Sequence, residues 1–173
     1  MANLSTPPQQ KGDASSSSAS TSYPRYDVFI NHRGSDVKNT FASHLYQRLR
    51  DHGLWVFLDK PELEPGHEFQ SQIEAAIRVA SVQIAIFSPT YAESKWCLDE
   101  LVLMIKSRAP IVPIFYNVEP FEVRWNDKKG VYAEALKKLE QKTRHDSATI
   151  QGWRDALSHV ADISGLALKN FNG

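Results

Sequence analysis

The stretch that decides the predicted fold is Ser94-Lys95-Trp96-Cys97-Leu98-Asp99-Glu100-Leu101. An apolar run of six residues, Val82 to Phe87, precedes it and is typical of a buried strand. From Leu98 onward, apolar residues recur at the spacing of one helix face, which predicts a helix. Ser94 is placed to cap the amino end of that helix. The centre of the chain is therefore predicted to be a strand followed by a helix.

Trp96 and Glu100 are one helical turn apart and are predicted to share the side roughly opposite the apolar face. Two interpretations fit this spacing. In one, an aromatic wall and a carboxylate bind a cationic, ring-bearing ligand at the edge of a sheet. In the other, Trp96 packs under a neighbouring loop and Glu100 is an ordinary surface acid. Spacing by itself does not decide between them.

Composition narrows the class of protein. The chain has 173 residues, which suits one domain and a tail, and its 20 basic and 20 acidic residues cancel. A neutral balance gives no electrostatic reason to expect nucleic acid or a membrane as the partner. The single cysteine, Cys97, is typical of a reducing compartment, and no apolar run approaches the ~20 residues of a membrane helix. We expect a cytoplasmic or nucleocytoplasmic protein.

The first 24 residues differ in composition from the rest. They are mostly Ser, Thr, Pro, Gln, Gly and Ala, with few large apolar groups. Such a segment buries too little apolar surface to offset the entropy of ordering it. Residues 1–24 are predicted to be a disordered arm, and residues 25–170 the folded domain.

Within the domain, strand patterns alternate with helix patterns. The predicted strands are Tyr26 to Ile30, Leu54 to Leu58, Val82 to Phe87, Ile111 to Tyr116 and Leu166 to Leu168. Pro113 is the awkward residue of the fourth strand. Near-continuous apolar strands separated by helices predict an α/β fold, a flavodoxin-like doubly wound parallel sheet of about five strands.

In that topology the loops after the first three strands open at one edge of the sheet, where ligands bind. Arg33, the loop from Asp59 to Gly66, and Trp96 with Glu100 are predicted to converge there. Common cofactor and metal motifs are missing from the sequence: GxGxxG, GxxxxGK[ST], HExxH and GxSxG. A phosphoacceptor receiver is also excluded, since Phe87-Ser88 stands where its Asp would be. No metal and no cofactor are expected.

Several blocks, in order, resemble the plant TIR domain family. They are Tyr26 to Ile30, Arg33-Gly34-x-Asp36, Phe41-x-Ser43-His44-Leu45, Phe57-x-Asp59, Leu63-Glu64-x-Gly66, Ser94-x-Trp96-Cys97-Leu98-x-Glu100-Leu101, and Pro113 to Arg124. The resemblance covers residues 25 to 170. Because no nucleotide-binding switch or leucine-rich repeats follow, the chain resembles a TIR-only protein.

The resemblance implies an enzyme that uses NAD+ as its substrate. Many plant TIR domains cleave the nicotinamide–ribose bond and release nicotinamide with ADP-ribose or cyclic ADP-ribose isomers, which act as immune and cell-death signals. The catalytic glutamate of the family corresponds to Glu100. The positions that match its substrate-binding residues are Asn31, Arg33, Gly34, Lys38, Asp59 and Trp96.

The chemistry agrees with that role for Glu100. Nicotinamide is a cationic leaving group, so the barrier is the positive charge that develops on the ribose in an oxocarbenium-like state. A carboxylate beside the ribose stabilises that charge. The sequence departs from the family at Asn31-His32, at Ser35 and at Lys38, which lacks the bidentate fork of Arg. These departures concern affinity and product identity more than the class of reaction.

Self-association is also implied by the resemblance. Ser43 and His44 match the pair on the first helix that contacts a second TIR domain, and the loop from Asp59 to Gly66 resembles one that completes a neighbour's pocket. A solvated helix face is the alternative for Ser43-His44. At the level of function, a non-enzymatic TIR adaptor is the alternative to the enzyme. A weaker alternative is an activity on nucleic acid that involves Cys97. For Cys97 itself, a packing role is favoured.

Overall fold

The computed structural model describes residues 25–37, 41–58, 67–125, 130–142 and 146–169, with the backbone alone at 67–69. The strands are β1 (Val28–His32), β2 (Val56–Leu58), β3 (Val82–Phe87), β4 (Ile111–Tyr116) and β5 (Leu166–Leu168). The helices are α1 (Gly34–Val37), α2 (Ser43–Asp51), α3 (His67–Val79), α4 (Lys95–Ser107), α5 (Pro120–Val123), α6 (Val131–Lys142) and α7 (Ser147–Ala161). A single 3-10 turn, Tyr91–Glu93, joins β3 to α4.

The five strands form one parallel sheet in the order β2-β1-β3-β4-β5. This is the flavodoxin-like order, so the predicted fold class is confirmed. The apolar runs predicted β3 and β4 at their observed bounds, and the short final strand is also present.

Both faces of the sheet are covered, as the near-continuous apolar strands require. Phe29, Ala85, Phe87 and Phe115 belong to one core cluster, together with buried residues of α3, α4, α6 and α7. Val28, Ile30, Ile84, Ile86 and Ile114 belong to a second cluster, against which Phe41, Leu45 and Leu49 pack. Because side chains alternate along a strand, Asn31 shares the face of Phe29 and therefore faces the α4 side.

The first strand ends later than predicted. Asn31 and His32 follow the predicted strand, Tyr26 to Ile30, yet they pair with Ala85 and Ile86 of β3. The ladder to β3 continues past the last apolar residue of β1, since strand pairing satisfies backbone groups whatever the side chain. This extension carries Asn31 into the interior.

Pro113 occupies a strand with neighbours on both sides. Its registered partner on β3 is Ala85, while pairing with β5 begins one residue later, at Ile114 with Leu166. The proline therefore lies where the ladder to β5 starts, a place that tolerates a missing N–H.

The short helix α5 was not predicted, because Pro120–Val123 is too short to show periodicity. Its capping box, in which Glu122 accepts from the backbone N–H of Glu119 at 2.7 Å, is visible only in three dimensions. The predicted arm, Lys38 and the loop from Asp59 to Gly66 lie outside the described residues. Among the helices that are described, none combines the length and apolarity needed to cross a membrane.

Candidate functional site

Glu100 lies in the interior and not on the outer side of its helix. It is 6% exposed and falls on the same stripe of α4 as the buried residues Cys97, Leu101 and Met104. The prediction that Glu100 lies opposite the apolar face is therefore wrong. The physical reason is a partner from another element, since a buried carboxylate is tolerated only where donors meet it.

That partner is Asn31 at the carboxyl end of β1. Its Nδ2 donates to Oε2 of Glu100 over 2.8 Å, and both side chains are buried. The hydroxyl of Tyr91 donates to Oδ1 of the same Asn31 over 2.5 Å and lies 3.0 Å from the carbonyl oxygen of Cys97. Glu100 is thus held at the point where β1, the 3-10 turn and α4 meet.

Tyr91 stays protonated in this position. Burial raises the pKa of its phenol well above the ordinary value, and the nearby ionisable groups of Cys97 and Glu100 raise it further. Its hydroxyl is therefore a donor at any physiological pH. Sequence reasoning missed Tyr91, since one aromatic residue in a loop carries no periodic signal.

The beginning of α4 is capped as predicted. Ser94 is extended, and its Oγ accepts from the backbone N–H of Cys97 at 3.3 Å. Cys97 itself is 1% exposed and belongs to the core, which confirms the packing role favoured from the sequence.

Trp96 is half-buried, and its ring has a cation of its own chain beside it. Lys95 Nζ lies 4.2 Å from the ring centroid. The same ammonium forms an ion pair of 3.1 Å with Asp99, which also accepts from Nε1 of Trp153 at 2.9 Å. The indole is thus part of a charged surface at the start of α4.

Arg33 joins the end of β1 to the loop after β3. Its guanidinium donates to the carbonyl oxygen of Thr90 and to Glu93, the latter over 2.9 Å. Gly34, the next residue, is half-buried and opens α1. These contacts bring two of the predicted site residues to the carboxyl edge of the sheet, beside β3.

Asp36 is a further polar centre at this edge. Its carboxylate accepts from Ser88 Oγ at 2.6 Å, and from Oγ1 and the backbone N–H of Thr90 at 2.6 Å and 3.2 Å. Burial raises the pKa of Asp36, but these hydrogen bonds outweigh burial and leave the pKa below its ordinary value. In the sequence, Asp36 stood out only as part of the Arg33-Gly34-x-Asp36 block, and its hydrogen-bond partners were not predicted.

The predicted self-association pair lies on α2, apart from this site. Ser43 is half-buried and His44 is exposed. Lys38 and Asp59, two of the predicted substrate-binding residues, lie outside the described residues. Within the described ranges, no group of three or more His, Cys, Asp or Glu side chains could hold a metal ion.

An apolar cavity of about 340 Å³ lies elsewhere, between the edge strand β2 and α3. Its described lining residues include Tyr26, Phe57, Ala76 and Val79. The described part of this lining holds no carboxylate, histidine or cysteine. Polar side chains from several elements meet instead around Glu100. The carboxyl edge of the sheet, where Glu100 lies, is therefore the candidate site.

The fold and site define the class as a flavodoxin-like α/β domain with a buried acid at the carboxyl edge of its sheet. Residues 25–173 match the TIR domain family. TMV resistance protein N of Nicotiana glutinosa is 40% identical over 153 residues, which is 86% of this chain and 13% of that protein. The probable 2' cyclic ADP-D-ribose synthase BdTIR of Brachypodium distachyon is 48% identical over 99 residues, 57% of this chain and 44% of BdTIR.

Among solved structures, the TIR domains of the activated Roq1 resistosome align with a TM-score of 0.72 and 38% identity, covering 85% of this chain and 90% of that one. The chain belongs to the TIR domain family, and its relatives include plant disease-resistance proteins. It spans about an eighth of the length of protein N and under half of BdTIR.

Proposed function

We propose that this chain cleaves NAD+ at the nicotinamide–ribose bond, releasing nicotinamide with ADP-ribose or a cyclic ADP-ribose isomer as a signal in plant immunity and cell death. The observation that carries the proposal is the buried Glu100 carboxylate, held by Asn31 at the carboxyl edge of the sheet. The 48% identity to a relative named as a probable 2' cyclic ADP-D-ribose synthase supports it. The expected place of action is the cytoplasm or nucleocytoplasm.

Glu100 acts on charge that develops during the reaction. As the bond to nicotinamide breaks, positive charge accumulates on the ribose, and a preorganised carboxylate in a water-poor site stabilises it strongly. Asn31 presents an amide donor to Glu100, and an oxygen of the carboxyl group accepts from it. The acceptor that completes the reaction is water for hydrolysis, or another hydroxyl of the nucleotide for cyclisation.

The substrate-binding roles are proposed for the predicted residues. We assign Arg33 and Gly34 to substrate contact where β1 meets α1, and Arg33 is anchored there to Thr90 and Glu93. Trp96 stacks on a ring of the substrate. The Lys95 ammonium now lies over the Trp96 ring. A substrate ring that stacks on this face displaces the ammonium from the indole, and Lys95 keeps its ion pair with Asp99. Lys38 and Asp59 complete the proposed set.

Assembly is the second part of the proposal. The Roq1 relative is an activated resistosome with TIR domains, which supports association between TIR domains. We assign the contact on α2 to Ser43 and His44, and the contact that completes a neighbour's pocket to the loop from Asp59 to Gly66. A chain that assembles without turning over NAD+ is an adaptor, and the experiment below separates the two.

The test is NAD+ consumption by the purified protein at high concentration, with products resolved by mass spectrometry. The variants are Glu100→Gln and Glu100→Ala, with Glu134→Gln on the exposed side of α6 as the matched control. Gln at 100 keeps an oxygen that accepts from Asn31, so the fold is retained while the charge is removed. We expect Glu100→Gln to lower kcat by about 100-fold or more and the control to match wild type.

Two outcomes contradict parts of the proposal. Turnover that persists in both Glu100 variants removes Glu100 from the reaction. A wild-type protein that assembles, as judged by light scattering, and leaves NAD+ intact is an adaptor.

A further inference from the structure

Three buried side chains form a chain of hydrogen bonds that ends at Glu100. The Tyr91 hydroxyl donates to Oδ1 of Asn31 over 2.5 Å, and Nδ2 of Asn31 donates to Oε2 of Glu100 over 2.8 Å. The three residues come from three elements: the 3-10 turn, β1 and α4. Neither Tyr91 nor Asn31 has measurable exposure.

We infer that Tyr91 is a positioning residue that acts through Asn31, by fixing which end of the Asn31 amide faces Glu100. The inference rests on the proposed function of Glu100, and it adds a residue, Tyr91, and a purpose for Asn31. Asn31 stands where the resemblance expects a small polar residue. The structure thus gives that departure a role in the site.

The two ends of the Asn31 amide have opposite hydrogen-bonding roles. Asn31 offers donors at Nδ2 and an acceptor at Oδ1, whereas an ionised carboxylate only accepts. If the amide turned over, Oδ1 would face Oε2 of Glu100 at hydrogen-bond distance, and two oxygen acceptors would oppose each other. The Tyr91 hydroxyl donates to Oδ1 from the other side, so reversal of the amide also breaks this hydrogen bond.

The Tyr91 hydroxyl stays protonated, so it can donate a hydrogen bond, and its ring is fixed by neighbouring side chains. Its surroundings contain the ionisable groups of Cys97, Glu100 and Tyr132, and with burial they keep the phenol in its protonated form. The ring of Tyr91 packs against Phe87 at 4.9 Å and stacks on Tyr132 at 6.4 Å between centroids. Because the ring is clamped, the hydroxyl cannot move away from Asn31. No proton moves along the chain, and its effect is orientation.

The experiment measures kcat and KM for NAD+ in four proteins: wild type, Tyr91→Phe, Asn31→Ala and the double variant. Phe retains the ring and its packing and removes the donor alone. We expect Tyr91→Phe to lower kcat about tenfold while KM changes less than about twofold, because the hydroxyl acts on Glu100 and not on distant parts of the substrate. In the Asn31→Ala background, Tyr91→Phe should cause no further loss, since the amide it orients is gone.

Tyr132→Phe is the matched control. Tyr132 is equally buried and stacks on Tyr91, but its hydroxyl donates to the carbonyl oxygen of Ser88 at 2.8 Å. Tyr91→Phe removes a buried hydroxyl that contacts Asn31 Oδ1 and the Cys97 carbonyl, and Tyr132→Phe removes one that donates to Ser88, so both should lower Tm. A loss of kcat confined to Tyr91→Phe separates positioning from stability. Equal losses of kcat in both variants would overturn the inference.

A second readout does not depend on turnover. The side-chain NH₂ of Asn31 is buried and bonded to Glu100, so its hydrogen exchange, followed by ¹⁵N NMR, should be slow in wild type and in Tyr132→Phe. We expect exchange about tenfold or more faster in Tyr91→Phe, because the amide is free to reorient. Unchanged exchange in Tyr91→Phe would overturn the inference, whatever the activity.

The two levels of the proposal fail separately. Turnover that survives Glu100→Gln contradicts the proposed role of Glu100, and the amide exchange then still decides whether Tyr91 orients Asn31. An inactive Glu100→Gln together with a fully active Tyr91→Phe contradicts the positioning role alone. Losses from Tyr91→Phe that persist undiminished in Asn31→Ala would show that Tyr91 does not act through Asn31.

Discussion

The carboxylate of Asp36 ties the start of α1 to the loop after β3, through Ser88 and Thr90. Burial raises its pKa, but the hydrogen bonds lower it by more, so its folded pKa lies below the ordinary 3.8. For a carboxyl group with a lowered folded pKa, the stabilisation is present above the unfolded pKa. It is lost as pH falls through the folded pKa. Asp36 therefore supports the site at neutral pH and not in strong acid.

Replacing Thr90 by Val tests this at the scale of one hydroxyl. Val has a similar shape but cannot donate to Asp36, so the pKa of Asp36 should rise toward its ordinary value. We expect Tm to fall by about 2–4 °C at pH 7, which corresponds to about 1 kcal/mol in a domain of this size. Thermal unfolding followed by circular dichroism between pH 7 and pH 2 should show the gap to wild type narrowing as the pH falls.

Asp36→Asn supplies the control for that measurement. With no carboxylate to titrate, the effect of Thr90→Val in the Asp36→Asn background should be independent of pH. A gap between Thr90→Val and wild type that stays constant from pH 7 to pH 2 would show that the hydroxyl does not act through the charge of Asp36.

At the scale of elements, β5 depends on a close approach to β4. A Cβ added to Gly165 would lie 2.4 Å from the carbonyl oxygen of Pro113, 2.7 Å from its Cγ and 2.9 Å from Phe115. Gly165 immediately precedes the strand Leu166–Leu168. Because the nearest atom belongs to the backbone, the strand itself must move to relieve the contact.

Gly165→Ala is therefore expected to lower the free energy of unfolding by about 1–3 kcal/mol. The measurement is urea unfolding, with amide hydrogen exchange in β5 as the local readout. The control is the same substitution at Gly152, inside α7, where an added Cβ meets nothing within 4 Å. Gly152→Ala should raise stability by about 0.5–1 kcal/mol, because Ala is the better helix former. Equal effects at the two glycines would refute the close-approach argument.

At the scale of the whole molecule, the proposed contact on α2 lies away from Glu100. A substitution on α2 can therefore change assembly without altering the residues around Glu100. His44 is exposed on α2 and has no place in either core cluster. In a contact between identical helices, each substitution enters twice, and His44→Glu places two negative charges at the interface. We expect the fold to persist while NAD+ turnover falls by about tenfold or more at equal protein concentration.

Light scattering, Tm and turnover should be measured together on His44→Glu and on Gln72→Glu. Gln72 is exposed on α3, so its substitution adds the same negative charge elsewhere. The control should assemble and turn over NAD+ like wild type. Unchanged turnover and unchanged assembly in His44→Glu would rule out the α2 contact.

The order and type of the strands and of the longer helices could be predicted from the sequence because they depend on local patterns, whereas the four-residue helix α5 could not. The apolar runs of β3 and β4 are buried on both faces, and their ends coincide with the observed ones. The cap at Ser94 was predictable for a similar reason, since a cap and its helix are adjacent in the chain. Alternating strands and helices then restrict the topology to a few orders, of which β2-β1-β3-β4-β5 is the one observed.

Tertiary structure alone decided where the acid points and what holds it. Periodicity places Glu100 on a helix but does not reveal what lies opposite, and an Asn at the end of a neighbouring strand made a buried position tolerable. Asn31 reached that position because pairing with β3 extended β1 beyond its apolar residues. Tyr91 joined them through contacts 60 residues apart in the chain. The sequence determined the scaffold through local propensity, whereas the site arose from hydrogen bonds between distant residues, which leave no periodic trace.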